Sequence, residues 1–588
     1  MPLPSNLTTL DFETEAIVGN PLLDPPIPVG LAVRWPNGEK EYFTNRQEMR
    51  NVWHDARSGG PLLFHNAPFD LSVARTHLGM DWPHWSQIHD TMYIVYHEDP
   101  YAKSLSLKPS AERYLDIPPT EQDACKAWVM RNVPQAKESD WGAYLCLVPE
   151  SILAPYAMQD VEDTFLLFQH LYPTTQMEPY DRERELMPRL AAGTIQGVRV
   201  ATGPLEQALA ATQAALQQAE ARVLQVLGCG QINLGSPPQL IQALEAAGAV
   251  KHWPLTPKGN KSTNKKQIVY HDQDFADLMN YRSTANTMIN SFMTNWLEQH
   301  RNGRLHPGWN STRGDRDGGT RTGRLSSSSP NFQNIPNIAD IPPIAGLPEL
   351  PHLRNFILPE EGHLWVKRDF SAQEIRIAAH FEDGPLAEAF RQTPNLDPHD
   401  MVRLLVLELT GVDYPRKYIK ETGFGILYGM GIKGLSGKLR ESSNVARDLM
   451  NGYLSAMPGL KKLQNGTKMR GRADKPIKTW GGRIIYKEPP KLVDRQMRSF
   501  EYKLLNYLIQ GSAADQTKQC IINWNNSLDH GEVFMSTVHD EINISVPEDN
   551  TVDAMDWLKT CMNESCEFDV PMLSDGFIGP SWGEVGDD

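Results

Sequence analysis

Cysteine is scarce in this chain. Its 588 residues include 6 cysteines, Cys125, Cys146, Cys229, Cys520, Cys561 and Cys566. They are too scattered for a disulfide framework, and no pair has the CxxC spacing of a zinc site. A reducing, cytoplasmic setting fits that usage. No apolar stretch is long enough to span a bilayer, and the opening Met-Pro-Leu-Pro-Ser-Asn-Leu carries no basic segment ahead of an apolar run. A membrane partner is therefore not expected. There is no internal repeat, and no low-complexity tract beyond Ser326–Ser329. Positive charge is also in deficit, with a formal net charge of −15. Taken alone, that balance argues against nucleic acid, but phosphate contacts depend on local patches rather than totals. Two patches stand out. The segment Lys251–Lys266 has five lysines and no carboxylate, and Arg313, Arg316, Arg321 and Arg324 share a Gly-rich loop. Each reads either as a solvated loop or as a grip on a phosphate backbone.

What is present is a soluble enzyme-like composition, 40% hydrophobic and 22% charged, in a chain long enough for two to four domains. Residues 1 to about 170 alternate short strands and helices, with strand-like Leu7–Phe12, Val29–Trp35 and Leu62–Phe64. The Pro-containing stretch near Tyr172–Pro188 reads as a boundary. From there to about 300 the pattern is helical, including Leu205–Leu227, which Gly228 stops. Further on, Leu364–Lys367 reads as a short strand ending at Asp369, ahead of a helix over Gln373–Phe381. Val533–Val538 and Ile542–Val546 flank a tight turn, a β-hairpin with His539 and Asp540 near its tip.

The most informative local pattern is Arg416, Lys420, Phe424 and Tyr428 at a constant four-residue step, followed by Gly429. On an α-helix each such step turns about 40° and rises roughly 6 Å, so the four form a gently winding stripe. Two cations lie toward one end and two aromatic faces toward the other, the layout of a nucleoside triphosphate. The alternative is a surface helix with solvated cations and two core aromatics.

Carboxylates supply the second pattern. Asp369 and Asp540 fall at strand ends or turns of separate elements. Phosphoryl transfer needs little from side chains beyond held metal ions, two Mg²⁺ about 3.5–4 Å apart being enough. A lone Asp at such a place is otherwise a cap or turn former. In the N-terminal part, Asp11 and Glu13 alternate on one strand face. Asp70 closes Asn66-Ala-Pro-Phe-Asp70, and Tyr156 precedes Asp160 by one helical turn. Four acids and a phenol suit two-metal hydrolysis of a phosphodiester, with the tyrosine positioning the water.

With these residues assembled, the chain resembles the family A DNA polymerases, the group of bacterial DNA polymerase I and many phage replicative enzymes. The likeness is carried by Thr322-Gly-Arg-Leu-Ser-Ser-Ser-Ser-Pro-Asn-Phe-Gln-Asn-Ile-Pro336, by Asp369-Phe-Ser-Ala-Gln-Glu-Ile-Arg376, by Arg416 to Gly429, by Asn506-Tyr-Leu-Ile-Gln-Gly-Ser-Ala-Ala-Asp515 and by Val538-His-Asp-Glu541. The N-terminal acids match the three motifs of the DEDD proofreading exonucleases, with tyrosine in the third. The resemblance implies an α/β and α+β multidomain fold. An RNase H-like 3′–5′ exonuclease would occupy residues 1–175. A right-hand polymerase would occupy 176–588, with thumb about 200–300, palm about 305–395 and 490–588, and fingers about 396–489.

It also implies roles. Asp369 and Asp540 would hold two Mg²⁺ (Mn²⁺ able to substitute) with the Phe370 carbonyl and Glu541 nearby. A second pair of ions would sit at Asp11, Glu13, Asp70 and Asp160, beside Tyr156. Arg416, Lys420 and His399 would hold the triphosphate of a dNTP, Lys420 also donating a proton to pyrophosphate. Phe424 would pack on sugar and base, Tyr428 would sit by the template base, and Glu374 would be the steric gate against a ribose 2′-OH. Arg324, Asn506 and Gln510 would reach the minor groove of primer–template DNA near the primer terminus, and Arg282 its backbone. Acceptors there are nearly alike for every Watson–Crick pair, so such donors check geometry without reading sequence.

The chain departs from the family pattern at Phe332, at Ala372 and Gln373, at Tyr502, where an arginine often lies, and at Asn286, where a lysine often lies. Asp11 follows so soon after the start that no 5′-nuclease domain is expected before it. The 233–282 region has no room for a thioredoxin-recruiting insertion, so thioredoxin is not implied, and processivity or replisome partners stay unidentified. This layout points to phage replication in a bacterial host cytoplasm. The rival readings are a repair or gap-filling polymerase, a catalytically silent DNA-binding protein keeping the fold, and a protein active as a nuclease alone.

Overall fold

In the computed structural model the described residues are 2–585, apart from 119, 257–258, 266, 313–319, 337, 339–340, 494–495 and 527–530. Arg313, Arg316, Lys258 and Lys266 therefore lie outside the described residues.

The N-terminal unit is built on a five-stranded sheet of β1 (Thr8–Thr14), β2 (Pro28–Arg34), β3 (Lys40–Phe43), β4 (Leu62–Phe64) and β5 (Ile88–Asp90). Its spatial order is β3-β2-β1-β4-β5. The first three strands pair antiparallel, while β1, β4 and β5 run parallel. The three strands expected from sequence all form here. Leu10, Phe12 and Phe64 alternate into the core, where Phe12 stacks on Trp53 with ring centroids 5.6 Å apart. Short α1 (Ala67–Val73) follows β4, and α2 (Leu107–Leu115) packs against α3 (Glu150–Leu171), which crosses β1 and β2.

The stretch expected to be a boundary, Tyr172–Pro188, is largely helical. It is mostly α4 (Met177–Gln196), and Arg182, Glu183 and Arg184 are buried at the junction of the two halves. Arg184 Nε donates to the Ile88 carbonyl at 2.6 Å, Arg182 Nη1 donates to the Gly481 carbonyl at 2.9 Å, and Glu183 pairs with Lys518 at 2.5 Å. These buried charges are tolerated because each meets a partner across the junction.

Beyond it, α5 (Thr202–Leu227) ends at Gly228 in the left-handed region, as expected. It packs against α6 (Gln273–Thr287) around a core that includes Ala219, Val223, Leu278 and Trp296. The remaining unit centres on a four-stranded antiparallel sheet made by β6 (His363–Phe370), β7 (Val533–Val538), β8 (Glu541–Pro547) and β9 (Ser574–Gly579), in the order β7-β8-β6-β9. After β6 comes α7 (Gln373–Glu382), then α8 (Pro398–Thr410) and α9 (Arg416–Leu427). Helix α10 (Leu504–Asn525) lies almost wholly in the core against α7. Among the described residues, no helix is long and apolar enough to cross a membrane.

Candidate active sites

The sheet of the C-terminal unit brings its two expected acids together. Asp369, the penultimate residue of β6, stands directly opposite Glu541, the first residue of β8, and the Phe370 amide donates to the Asp540 carbonyl at 3.2 Å. Asp540 occupies the two-residue turn of the β7–β8 hairpin, beside His539 at φ 57°. Burial foremost pushes the Asp540 carboxyl up to about 6; Glu374 and Glu541 add to this, and Arg324 opposes it. Glu541 is buried, accepts from Asn543 Nδ2 at 2.8 Å, and lies 3.5 Å from Lys367 Nζ. Asp575 stands opposite Asp369 on β9 and accepts from Ser371 Oγ at 2.6 Å. No motif had marked Asp575; only strand pairing brings it here.

Helix α9 buries Ile419, Thr422, Gly423, Ile426 and Leu427, leaving the predicted stripe on its other face. The helix stops at Leu427, so Tyr428 is its cap rather than its last turn. Gly429 follows with φ +69°, and a Cβ there would meet the Tyr502 ring at 2.7 Å. The break turns Tyr428 out of line, and its hydroxyl donates to Glu374 Oε2 at 2.9 Å. Arg324 Nη2 donates to the other oxygen, Oε1, so Glu374 on α7 is held from two sides. Phe424 lies 6.0 Å from Tyr428 and 6.1 Å from His399, centroid to centroid. Burial drives the His399 imidazole down to about 4, with the neighbouring charges of Arg416 and Lys420 acting in the same direction. Lys420 is exposed, whereas Arg416 is tied to Asp397 by Nη2 at 2.5 Å and Nε at 3.1 Å. Asp397 in turn caps α8 through the amides of His399 and Asp400.

Asn506 and Gln510 are the half-buried positions on an otherwise buried turn of α10, one step apart, and Gln510 bonds the Tyr428 phenol. Gln373, one of the departures, is buried and donates to Gln516 at 3.0 Å. Tyr502 is 38% exposed against Gly429. Arg282 lies where its expected role is hardest to exercise. It is 9% exposed and donates to Glu220 Oε1 from Nε at 2.9 Å and from Nη2 at 2.8 Å. A DNA phosphate would have to break that pair. Asn286 accepts from Asn290 at 3.0 Å. Of the loop cations, Lys261 pairs with Glu245 and Lys265 donates to Thr284 at 3.3 Å.

The second site lies in the N-terminal unit. Carboxylate oxygens of Asp11, Glu13 and Asp160 lie within 4.8 Å of one another. Asp70, on α1, stands outside that tight group. It is buried and accepts the Phe12 amide at 3.0 Å, close enough to feel the charge of Asp11 and to act on Glu13. Tyr156, one turn before Asp160 on α3, bonds to it. Burial, reinforced by the Asp160 charge, pushes the Asp11 carboxyl up to about 8; burial also pushes Asp160 up to about 6, against the pull of Lys108. Glu13 and Asp70 are raised for the same primary reason. Carboxylates this crowded and this dry fit divalent cations, which supply the charge that water cannot. The residue that sequence reasoning missed is Lys108 on α2. It pairs with Asp160 and lies 3.2 Å from Asp163.

The chain is similar to several known proteins. The profile of DNA polymerase family A matches residues 203–584. DNA polymerase I of Chloroflexus aurantiacus is 28% identical over 464 residues, covering 74% of this chain and 47% of that protein. The chain thus spans about half the length of the bacterial relatives it matches. DNA polymerase DpoZ of Vibrio phage phiVC8 is 25% identical over 614 residues, 95% of this chain and 93% of that protein. The fold is shared with a solved structure described as the POL domain of Pol1 from M. smegmatis in complex with DNA primer-template and dNTP. The TM-score is 0.78 at 23% identity, over 99% of this chain and 96% of that one. The chain belongs to DNA polymerase family A.

Proposed function

We propose that the protein is a DNA-templated DNA polymerase with a 3′–5′ proofreading exonuclease in its N-terminal unit. The observation that carries the polymerase reading is the meeting of Asp369 and Asp540 at adjacent strand ends, joined through Glu374 to Tyr428 at the end of a helix that presents two cations and two aromatic rings. In this reading β6–β9 and α10 belong to the palm, α8 and α9 to the fingers, and α5 and α6 to the thumb. When bound, two divalent ions activate the attacking hydroxyl and neutralise the leaving pyrophosphate. The two aspartates hold those ions. Arg416 leaves Asp397 for the triphosphate, which offers more negative charge than a single carboxylate. Lys420 gives a proton to the departing pyrophosphate, and Phe424 covers the sugar and base. Glu374, held by Arg324 and Tyr428, fills the space a ribose 2′-OH would need. Arg324, Asn506 and Gln510 face the primer terminus.

The tight acid cluster of the N-terminal unit supports the nuclease reading. A mispaired end frays, reaches this cluster as a single strand, and is cut there while Tyr156 orients the attacking water. The near full-length match to a phage polymerase supports replication of a phage genome over host repair. Extension of a labelled primer–template in Mg²⁺, with and without dNTPs, tests both halves in one gel. The expected result is lengthening with dNTPs and shortening from the 3′ end without them. A folded protein that fails to extend the primer would overturn the polymerase reading.

A further inference from the structure

Lys108 is the second residue of α2, and the packing of α2 on α3 delivers its side chain into the N-terminal acid cluster. Its ammonium pairs with Asp160, lies 3.2 Å from Asp163 Oδ2, and sits 5.2 Å from the centre of the Tyr156 ring. The side chain is 12% exposed. Asp163 is buried one turn beyond Asp160 on the same helix face, and its other oxygen accepts from Gln159 Nε2 at 2.6 Å. Asp163 stands apart from the tight acid group, so it anchors the lysine independently of the carboxylates suited to metal.

This matters because of what the site must accept. A phosphodiester carries a negative charge, and that charge grows on its non-bridging oxygens as water attacks. A cluster of acids repels such a substrate unless a cation faces it.

We propose that Lys108 is a phosphate-contacting catalytic residue of the nuclease reaction, with Asp163 as its positioning residue. The inference rests on the nuclease reading of this site. Without divalent ions Lys108 serves as the internal counter-ion of Asp160. With the acids engaged, it stays fastened by Asp163 and turns its ammonium to a non-bridging oxygen of the scissile phosphate. Water adds its oxygen to phosphorus as the bond to the 3′ oxygen of the preceding sugar breaks. One water proton ends on that departing oxygen and the other ionises from the released nucleoside 5′-monophosphate. Lys108 keeps its own proton throughout.

The test compares wild type with Lys108→Met, Lys108→Arg and Asp163→Asn in the full chain, on a labelled single-stranded oligonucleotide without dNTPs. Mn²⁺ binding is measured in parallel on proteins that also carry Asp369→Asn and Asp540→Asn, so that the N-terminal acids dominate the signal. Lys108→Met should lower kcat for degradation about ten- to a hundredfold with little change in KM. Lys108→Arg should restore most of it, and Asp163→Asn should fall between. Mn²⁺ should bind Lys108→Met several-fold more tightly, because the competitor for Asp160 is gone. Degradation by Lys108→Met within twofold of wild type, with Mn²⁺ affinity unchanged, would overturn the role of Lys108 alone. A wild-type protein that binds Mn²⁺ but never shortens the oligonucleotide would overturn the nuclease reading, and this inference with it.

Discussion

The Tyr428 hydroxyl donates to Glu374 Oε2 at 2.9 Å. The residue that caps α9 therefore helps to hold the residue proposed to guard the sugar pocket. Arg324 holds the other carboxylate oxygen, which couples the expected minor-groove contact to the same group. Glu374→Ala should open that space and raise ribonucleotide over deoxynucleotide use by roughly tenfold or more. Tyr428→Phe removes one of the two tethers and should relax the same ratio by about threefold, the scale of a single hydrogen bond. Competing kcat/KM values for one rNTP and its dNTP report both effects. An unchanged ratio in Glu374→Ala would remove Glu374 from the gate.

The two acid clusters are built on different sheets, so the two proposed activities should separate cleanly. Asp540→Ala should lower primer extension by at least about a hundredfold while leaving 3′ degradation intact. Asp11→Ala should do the reverse. Extension and degradation assays on each folded variant give the answer, and loss of both activities in either one contradicts a two-site enzyme.

How much of this was legible in the sequence depends on the kind of contact. Asp369, Asp540 and the α9 stripe could be read because each depends on local periodicity, strand alternation or helical spacing, which sequence records directly. Lys108 could not, since an isolated lysine at a helix start gives no sign that α3 will carry Asp160 and Asp163 to it. Asp575 reaches Asp369 only through the β6–β9 register. Arg282 carries a contact that its motif does not record: packing of α6 against α5 pairs it with Glu220. The burial of charges in the Tyr172–Pro188 boundary stretch is not legible in sequence, because the partners of Arg182 and Glu183 lie hundreds of residues away in the chain. Arg182, for example, donates to Gln519 at 3.1 Å.

The same long-range logic makes Asp515 a stability determinant. It is 2% exposed on its side chain, accepts from Arg483 Nε at 2.8 Å and from Thr479 Oγ1 at 2.6 Å. Arg483 then donates to the carbonyls of Thr322 and Gly511 at 2.6 and 2.7 Å, joining two of the family's motif segments. Gly323 is required at this junction, since it has φ +84° and a Cβ would fall 1.9 Å from Arg483 Nη1. Asp515→Ala leaves a guanidinium buried without its counter-charge and should cost about 3–5 kcal/mol. Adding Arg483→Met to that variant removes the stranded charge and should recover part of the loss. Denaturant unfolding of the three proteins measures both steps; a double mutant no better than the single would mean the cost is lost packing instead.

The N-terminal acids should make stability depend on pH in the unusual direction. Burial raises Asp11 to about 8 and Asp160 to about 6, above an unfolded value near 3.8. Between those values the folded protein holds protons that the unfolded chain has released, so folding stability falls as pH rises from about 4 to about 8. In EDTA, the unfolding transition of the N-terminal unit should therefore drop in temperature across that window. Mg²⁺ or Mn²⁺ should reverse the drop, most strongly near pH 8, where the acids are ready to give up their protons to a cation. Asp11→Asn removes the most strongly shifted of these two and should flatten the slope. A metal-free melting temperature that rises steadily from pH 5 to pH 8 would mean that these carboxylates are ionised in the folded protein, stabilised without any bound ion.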